Sequence, residues 1–196
     1  MPESRVKNNG RVWPWIVAGI VLALAVGIGA YLFFIETRHA PVVPSAEFQS
    51  VTSVHGPKVN MTLYFPSKDD TYLHPERRDL AEKSGEAEQV RVVVEELIRG
   101  PVSGLIPSFP PVTRVKGVFI EKGTAYVNFS RELQSEYPGG AWTETLTIYS
   151  LANTLSQNFA DIKSVQIMVE GNAVESIAGH IDVYRPVAPK PAMNKE

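Results

Sequence analysis

Cysteine is absent from the 196-residue chain. That absence excludes a disulfide framework, a thiolate metal site, a cysteine nucleophile and a lipid-modified cysteine. A surplus of charge is lacking too, since 19 Lys and Arg stand against 21 Asp and Glu, a formal net charge of −2. Nucleic-acid binders usually carry a clear basic excess, so no nucleic-acid partner is expected. Also missing are a phosphate-binding glycine loop, a zinc motif and a nucleophile elbow. Hydrophobic residues make up 44% of the chain, an ordinary share for a globular protein, but they are unevenly spread.

The first thing present is an apolar run. Trp13 to Ile35 spans 23 residues without a charge. As a helix this run reaches roughly 34 Å, enough to cross the hydrocarbon core of a bilayer. Pro14 sits in the first turn, where its missing N–H is not needed. Trp13 and Trp15 at one end, and Tyr31, Phe33 and Phe34 at the other, match interfacial aromatic belts. Arg5, Lys7 and Arg11 outweigh Glu3 before the run, whereas Glu36 and Arg38 cancel behind it. The positive-inside rule therefore puts residues 1–12 in the cytoplasm and everything after the span outside. A cleaved secretory signal is the rival, with Gly27-Ile28-Gly29 ahead of Ala30. The run continues through Tyr31 to Ile35, beyond the length of a signal core, so an uncleaved anchor is preferred. Ala23 and Gly27 have helix-packing spacing, a common chance pairing. The expectation is a single-pass protein of the inner (cytoplasmic) membrane.

Beyond the span lie 16 basic and 20 acidic residues, a poor match for anionic lipid headgroups. Residues 36–57 hold Pro41, Pro44, Gly56 and Pro57 without periodicity and read as a linker. Residues 186–196 hold Pro186, Pro189 and Pro191 and read as a flexible tail. One domain over 58–185 remains. Val59 to Phe65 is a strand stopped by Pro66. Ser67 to Gly85 is polar and irregular. Ser84 is placed to cap a helix with Glu86 and Glu88 in its first turn. Val90, Val93, Val94, Leu97 and Ile98 make one apolar stripe, and Gly100-Pro101 ends it.

After a proline-broken loop over 105–111, strands are expected at 114–120 and 124–130. Glu121-Lys122-Gly123 joins them as a tight turn with positive φ at Gly123. Glu136 to Gly140 is a turn region. Trp142, Leu146, Tyr149, Ala152, Leu155 and Phe159 then mark a second helix over about 142–159. Ser164 to Glu170 is the last clear strand, closed by Gly171-Asn172, and a short segment around 177–184 completes the domain. The order is βαββαβ. It predicts an α+β fold with a small mixed sheet and two helices packed on one face, preceded by one transmembrane helix.

No catalytic constellation is visible, and no catalytic, cofactor-binding or metal-ligating residue is assigned. His39 and His55 fall in the linker, and His74 precedes Pro75 in the polar stretch. Only His180 has company: an extended Gly179-His180-Ile181-Asp182 would put His180 and Asp182 on one face. Two ligands do not make a metal site. A simpler reading has Asp182 bonding a backbone amide or the imidazole. The run Asp69, Asp70, Glu76, Arg77, Arg78, Asp79, Glu82, Lys83 mixes signs and reads as solvated, with a docking loop as the alternative. Tyr64, Tyr72, Tyr137 and Trp142 would line a groove only if they are not core.

These landmarks, taken in order, resemble the GerMN domain family of spore-germination proteins. The likeness rests on Leu63-Tyr64-Phe65, Leu97-Ile98-Arg99-Gly100-Pro101, Val127-Asn128-Phe129-Ser130, Asn153-Thr154-Leu155, Val169-Glu170-Gly171 and Gly179-His180-Ile181-Asp182. It covers about Leu63 to Pro186. It implies a non-enzymatic envelope module similar to the ring-building motifs of secretion and sporulation assemblies. The chain departs from the germination protein by holding one such domain and by using a membrane span where that protein uses a lipid-modified cysteine. The expected role is a membrane-anchored scaffold or assembly module outside the cytoplasm, without a cofactor or an identified small-molecule substrate. Its expected partners are other envelope proteins or further copies of itself, and its membrane contact is through residues 13–35. The alternative is a cell-wall ligand-binding or hydrolytic domain using His180, Asp182 and a loop carboxylate such as Asp79.

Overall fold

Residues 56–195, with residues 27, 28, 31 and 32, are described by a computed structural model. The expected cytoplasmic segment 1–12 lies outside the described residues. So do the expected transmembrane helix 13–35, except for those four helical positions, and nearly all of the linker 36–57. No helix among the described residues is long and apolar enough to cross a membrane.

The first strand, β1 (Lys58–Pro66), forms where expected and sends Met61, Leu63 and Phe65 into the core. Its partner was not anticipated. The stretch read as irregular contains a second strand, β2 (Leu73–Ala81), antiparallel to β1 in unbroken register from Lys58↔Ala81 to Pro66↔Leu73. The reason is physical. Glu76 and Arg78 take buried or part-buried positions on β2 and bond each other, so the strand lacks the apolar alternation that marks a half-buried sheet. Pro75 is tolerated because it stands opposite Tyr64, whose N–H points away from β2 to Thr154 Oγ1 at 3.0 Å. At such a non-hydrogen-bonded pair the proline nitrogen also faces outward and breaks no ladder bond.

Helix α1 (Glu86–Arg99) buries the whole predicted stripe. Ser84 is not its cap. Gly85 occupies that position, and Gln89 Oε1 accepts the Lys83 N–H at 2.7 Å. Gly100, with φ of +88°, ends the helix. Strands β3 (Val115–Glu121) and β4 (Thr124–Phe129) form the expected hairpin. Lys122 and Gly123 have φ of 48° and 79°, the signature of a type I′ turn, whose twist matches the flanking strands. A short helix, α2 (Glu132–Ser135), precedes the 136–140 turn and buries Leu133. Helix α3 (Ala141–Asn158) follows, then β5 (Ser164–Val169) and the two-residue β6 (Asn172–Ala173).

The α+β class holds, but the βαββαβ order and the single sheet do not. The strands form two sheets, a β1–β2 ribbon and a mixed sheet ordered β3-β4-β5-β6, in which only β4 and β5 run parallel. Their inward faces and both long helices share one core that includes Leu63, Phe65, Val94, Leu97, Val127, Phe129, Leu151, Leu155 and Ile167. Among the described residues no strand lies beside the outer edge of β1. Side chains on one ridge of α3 take that place. Ser150 Oγ donates to Tyr64 O at 2.6 Å, Thr154 accepts the Tyr64 N–H, and Asn158 accepts the Thr62 N–H at 2.9 Å and donates to Thr62 O at 2.7 Å. From Thr154 to Asn158 the helix rises about 6 Å and from Tyr64 to Thr62 the strand runs about 6.6 Å, so these two contacts stay in step.

Residues 186–195, expected as a flexible tail, are instead bound to the domain. Val187 and Val165 exchange backbone bonds of 2.8 and 2.9 Å, and the Lys195 N–H donates to Leu73 O at 2.8 Å. Between them a turn of 3-10 helix at Pro191–Met193 buries Met193 beside Tyr64, Leu73 and Leu146. Asn153 of α3 fixes this strap from below, accepting the Lys190 N–H at 2.7 Å and donating to Lys190 O and Asn194 Oδ1.

Candidate functional site

The segment 175–184 folds as a loop closed by a bond from the Val183 N–H to Glu175 O at 2.8 Å. Its centre wraps around a side chain the sequence did not single out. Glu144 of α3 is fully buried. Its Oε1 accepts the N–H groups of Ile177 at 2.8 Å and Ala178 at 2.9 Å, and its Oε2 accepts the His180 N–H at 3.0 Å. His180 Nδ1 lies 3.1 Å from the same Oε2. Both oxygens of Glu144 face donors, so Nδ1 turns its N–H toward Oε2 and the Nε2 side of the ring faces outward. Burying a carboxyl group is costly unless its acceptors are filled, and here four contacts from one loop fill them. The helix therefore acts as a peg that shapes the loop.

Two further bonds stiffen this loop. Ser176 Oγ accepts the Gly179 N–H at 2.8 Å, and Gln134 Nε2 donates to Ser176 O at 2.8 Å. Asp182 Oδ1 accepts the Tyr184 N–H at 2.9 Å, the backbone-bonding role expected of it. The imidazole of His180 is thus paired with Glu144 rather than with Asp182. Glu175, Ser176, His180, Ile181, Asp182 and Tyr184 line an open depression of about 440 Å³. Asp79 does not join them. It lies on β2, accepts from Asn60 Nδ2 at 2.9 Å, and lines a separate depression with Leu80 and Arg99. Among the described residues no group of three or more His, Asp or Glu is arranged to hold a metal ion.

Nearby, Tyr137 hydrogen-bonds Thr147 Oγ1 at 2.7 Å. Burial pushes its hydroxyl up to about 12; the bond to Thr147 opposes this shift and the nearby Glu144 adds to it. The four aromatics considered for a groove are scattered. Tyr64 is buried under the strap, Tyr137 packs on the core, Trp142 is half exposed, and Tyr72 carries Lys195 Nζ 5.2 Å from its ring centre. His74 lies on β2 with Nε2 3.0 Å from Asp70.

A second buried polar cluster locks the end of α1. Arg78 of β2 donates to Glu76 at 2.5 Å, to Glu96 Oε2 at 2.7 Å and to Gly100 O at 2.6 Å. Glu76 in turn accepts the N–H groups of Val102 and Ser103 at 3.1 and 2.9 Å, together with the Ser103 hydroxyl. Burial alone would raise the Glu76 carboxyl. The bonds from Ser103, Arg78 and the two amides outweigh it and hold the group below its ordinary value. The Arg99-Gly100-Pro101 turn, read as a simple helix stop, is thus gripped from β2. A third such feature joins the β3–β4 hairpin to the turn after β5. Glu170 and Gly171 have φ of 49° and 84°. Asn128 Oδ1 accepts the Gly171 N–H at 2.8 Å, and Glu170 bonds Lys116 and the Arg131 N–H.

The Germane family model, described as sporulation and spore germination, matches residues 62–175. Three solved structures are similar to this chain. The tandem GerMN domains of the sporulation protein GerM from Bacillus subtilis are 21% identical with a TM-score of 0.55, over 71% of this chain and 48% of theirs. This chain therefore spans about half of that tandem. The first GerMN domain of the same protein is 26% identical with a TM-score of 0.52, over 66% of this chain and 97% of its own. A Clostridium perfringens chain described as a candidate lipoprotein is 24% identical with a TM-score of 0.51, over 72% of this chain and 95% of its own. No curated protein matches.

Proposed function

From the premise that this chain belongs to the Germane family of sporulation and spore germination, we propose that it is a membrane-anchored, non-enzymatic assembly module working outside the cytoplasm. The observation that carries this reading is the family match over residues 62–175, with a fold shared by the GerMN domains of a sporulation protein. The apolar run Trp13 to Ile35 supports the anchor, and the basic residues before it support the orientation. Two buried carboxyl groups of the domain shape loops: Glu144 holds 177–180 and Glu76 holds 102–103. The pathway follows the family name only as far as a link to sporulation or germination.

An assembly module needs a surface that accepts another chain, and β3 supplies one. The two-residue turn closes on Glu121 and Thr124. In an antiparallel ladder closed there, the N–H and C=O groups of Val118 and Ile120 point away from β4. An open edge of this kind is a ready template for strand addition. On the outward face Phe119 stacks on Tyr126 with ring centres 4.3 Å apart, adding apolar area beside the edge.

The test is crosslinking in intact cells followed by affinity purification of the full chain. The expected products are adducts with other envelope proteins or with further copies of this chain. Replacing Ile120 with proline removes an outward N–H and should deplete those adducts well beyond Ile120→Ala, which loses the same core packing but keeps the N–H. Recovery of the protein solely as a monomer would count decisively against the assembly role.

A further inference from the structure

We infer that the depression over His180 is a carbohydrate-binding subsite that seats one or two sugar rings of a glycan against Tyr184. Three observations converge on it. The first is chemical. The carboxyl groups of Glu175 and Asp182 supply acceptors there, and the Ser176 and Tyr184 hydroxyls can both accept and donate. A ligand bearing several hydroxyl groups, each able to donate and to accept, matches this lining. The second is the aromatic. Tyr184 is 60% exposed at the rim although most large side chains of the domain are buried. A pyranose offers an apolar C–H face to such a ring while its hydroxyls reach the acceptors around it. The bond from the Tyr184 N–H to Asp182 Oδ1 fixes platform and acceptor relative to each other.

The third is size and stiffness together. A volume of about 440 Å³ falls within the roughly 300–1,000 Å³ range of small-molecule sites. The loop is held from beneath by the buried Glu144, across its mouth by Val183 and Glu175, and at its flank by Gln134. A site ordered before its ligand arrives avoids the entropy of ordering on binding. The inference is one of binding only, and no bond is made or broken.

The test uses the full chain in lipid nanodiscs, titrated calorimetrically with the soluble β-1,4-linked tetramer of N-acetylglucosamine. Saturable binding is expected. It should weaken about tenfold in Tyr184→Ala, the loss of one aromatic contact, and comparably in Asp182→Asn, with the melting temperature of both variants unchanged. His180→Gln, which keeps a polar group but loses the ring that Glu144 orients, should weaken binding as well. No saturable binding, or binding indifferent to Tyr184→Ala, overturns the inference. So does preferential binding of a lysine-rich peptide at the same residues, which would make this a cation site. Crosslinked assemblies without sugar binding would reject this subsite alone and leave the assembly role standing.

Discussion

Asn158 of α3 holds both backbone groups of Thr62, taking its N–H at 2.9 Å and giving to its carbonyl at 2.7 Å. A carboxamide carries an acceptor and a donor side by side, so it presents to β1 what the backbone of a neighbouring strand would present. With Ser150 and Thr154 it seals an edge that would otherwise be exposed. Replacing Asn158 with alanine leaves two part-buried backbone groups without partners. Stability should fall by about 1–3 kcal/mol, read as a shift in the urea midpoint at constant slope. An unchanged midpoint would show that water serves these groups equally well.

Glu76 should make the fold acid-sensitive. Its carboxyl is held below the 4.5 of the free group. The folded state therefore binds that proton less readily than the unfolded chain, and the contribution to stability is full above 4.5 and fades as pH falls through the lower folded value. Urea unfolding of wild type at pH 7, 5, 4 and 3 (round values bracketing the ordinary Glu range) should show this loss. Glu76→Gln should be less stable at neutral pH and should flatten the acid limb. A Gln variant with the same acid limb as wild type would assign the titration to another carboxyl.

Glu144 serves as the peg for the loop over 177–180, and its removal has a local signature. Glu144→Ala leaves three backbone donors without their acceptor, a loss on the order of 3 kcal/mol. Hydrogen exchange at Ile177, Ala178 and His180 should accelerate well beyond that at the amides of β1. Uniform acceleration across the domain would mean that Glu144 supports the core rather than the loop.

Asn153 makes the side-chain hydrogen bonds that tie the C-terminal strap to α3, beside the packing of Met193 on Leu146. Asn153→Ala removes its bonds to Lys190 and Asn194. Limited proteolysis should then cut within residues 186–195 at protease levels that leave the wild type intact. Resistance equal to wild type would show that Val187 and Met193 hold the strap by themselves.

The elements legible in the sequence are those whose information is local. The α1 stripe from Val90 to Ile98, the apolar spacing of α3 and the Gly123 and Gly171 turns depend on a few neighbouring residues. Each follows from helical periodicity or from a backbone that needs positive φ. The elements missed depend on distant partners. β2 hides because Glu76 and Arg78 fill its inward positions, and they do so only because Glu96, Gly100, Val102 and Ser103 are brought up from the other side of α1. The strap is proline-rich and polar, and its order comes from Asn153, 37 residues before Lys190 in the chain. α2 is a single turn of four residues, too short to display a period. The site was half visible. Gly179-His180-Ile181-Asp182 stood out, whereas Glu144 shares a helix face with the buried Ile148, Leu151 and Leu155, and the amides that satisfy it come from a loop more than 30 residues away.

The strap also fixes where a neighbour could be attached. Lys58 opens β1 beside Ala81, while Lys195 is bonded to Leu73, which faces Pro66 at the far end of the same ribbon. Eight residue steps of strand separate those ends, about 27 Å. A tether entering at Lys58 and a cargo fused after Lys195 would therefore sit at opposite ends of the β1–β2 ribbon, held apart by its length.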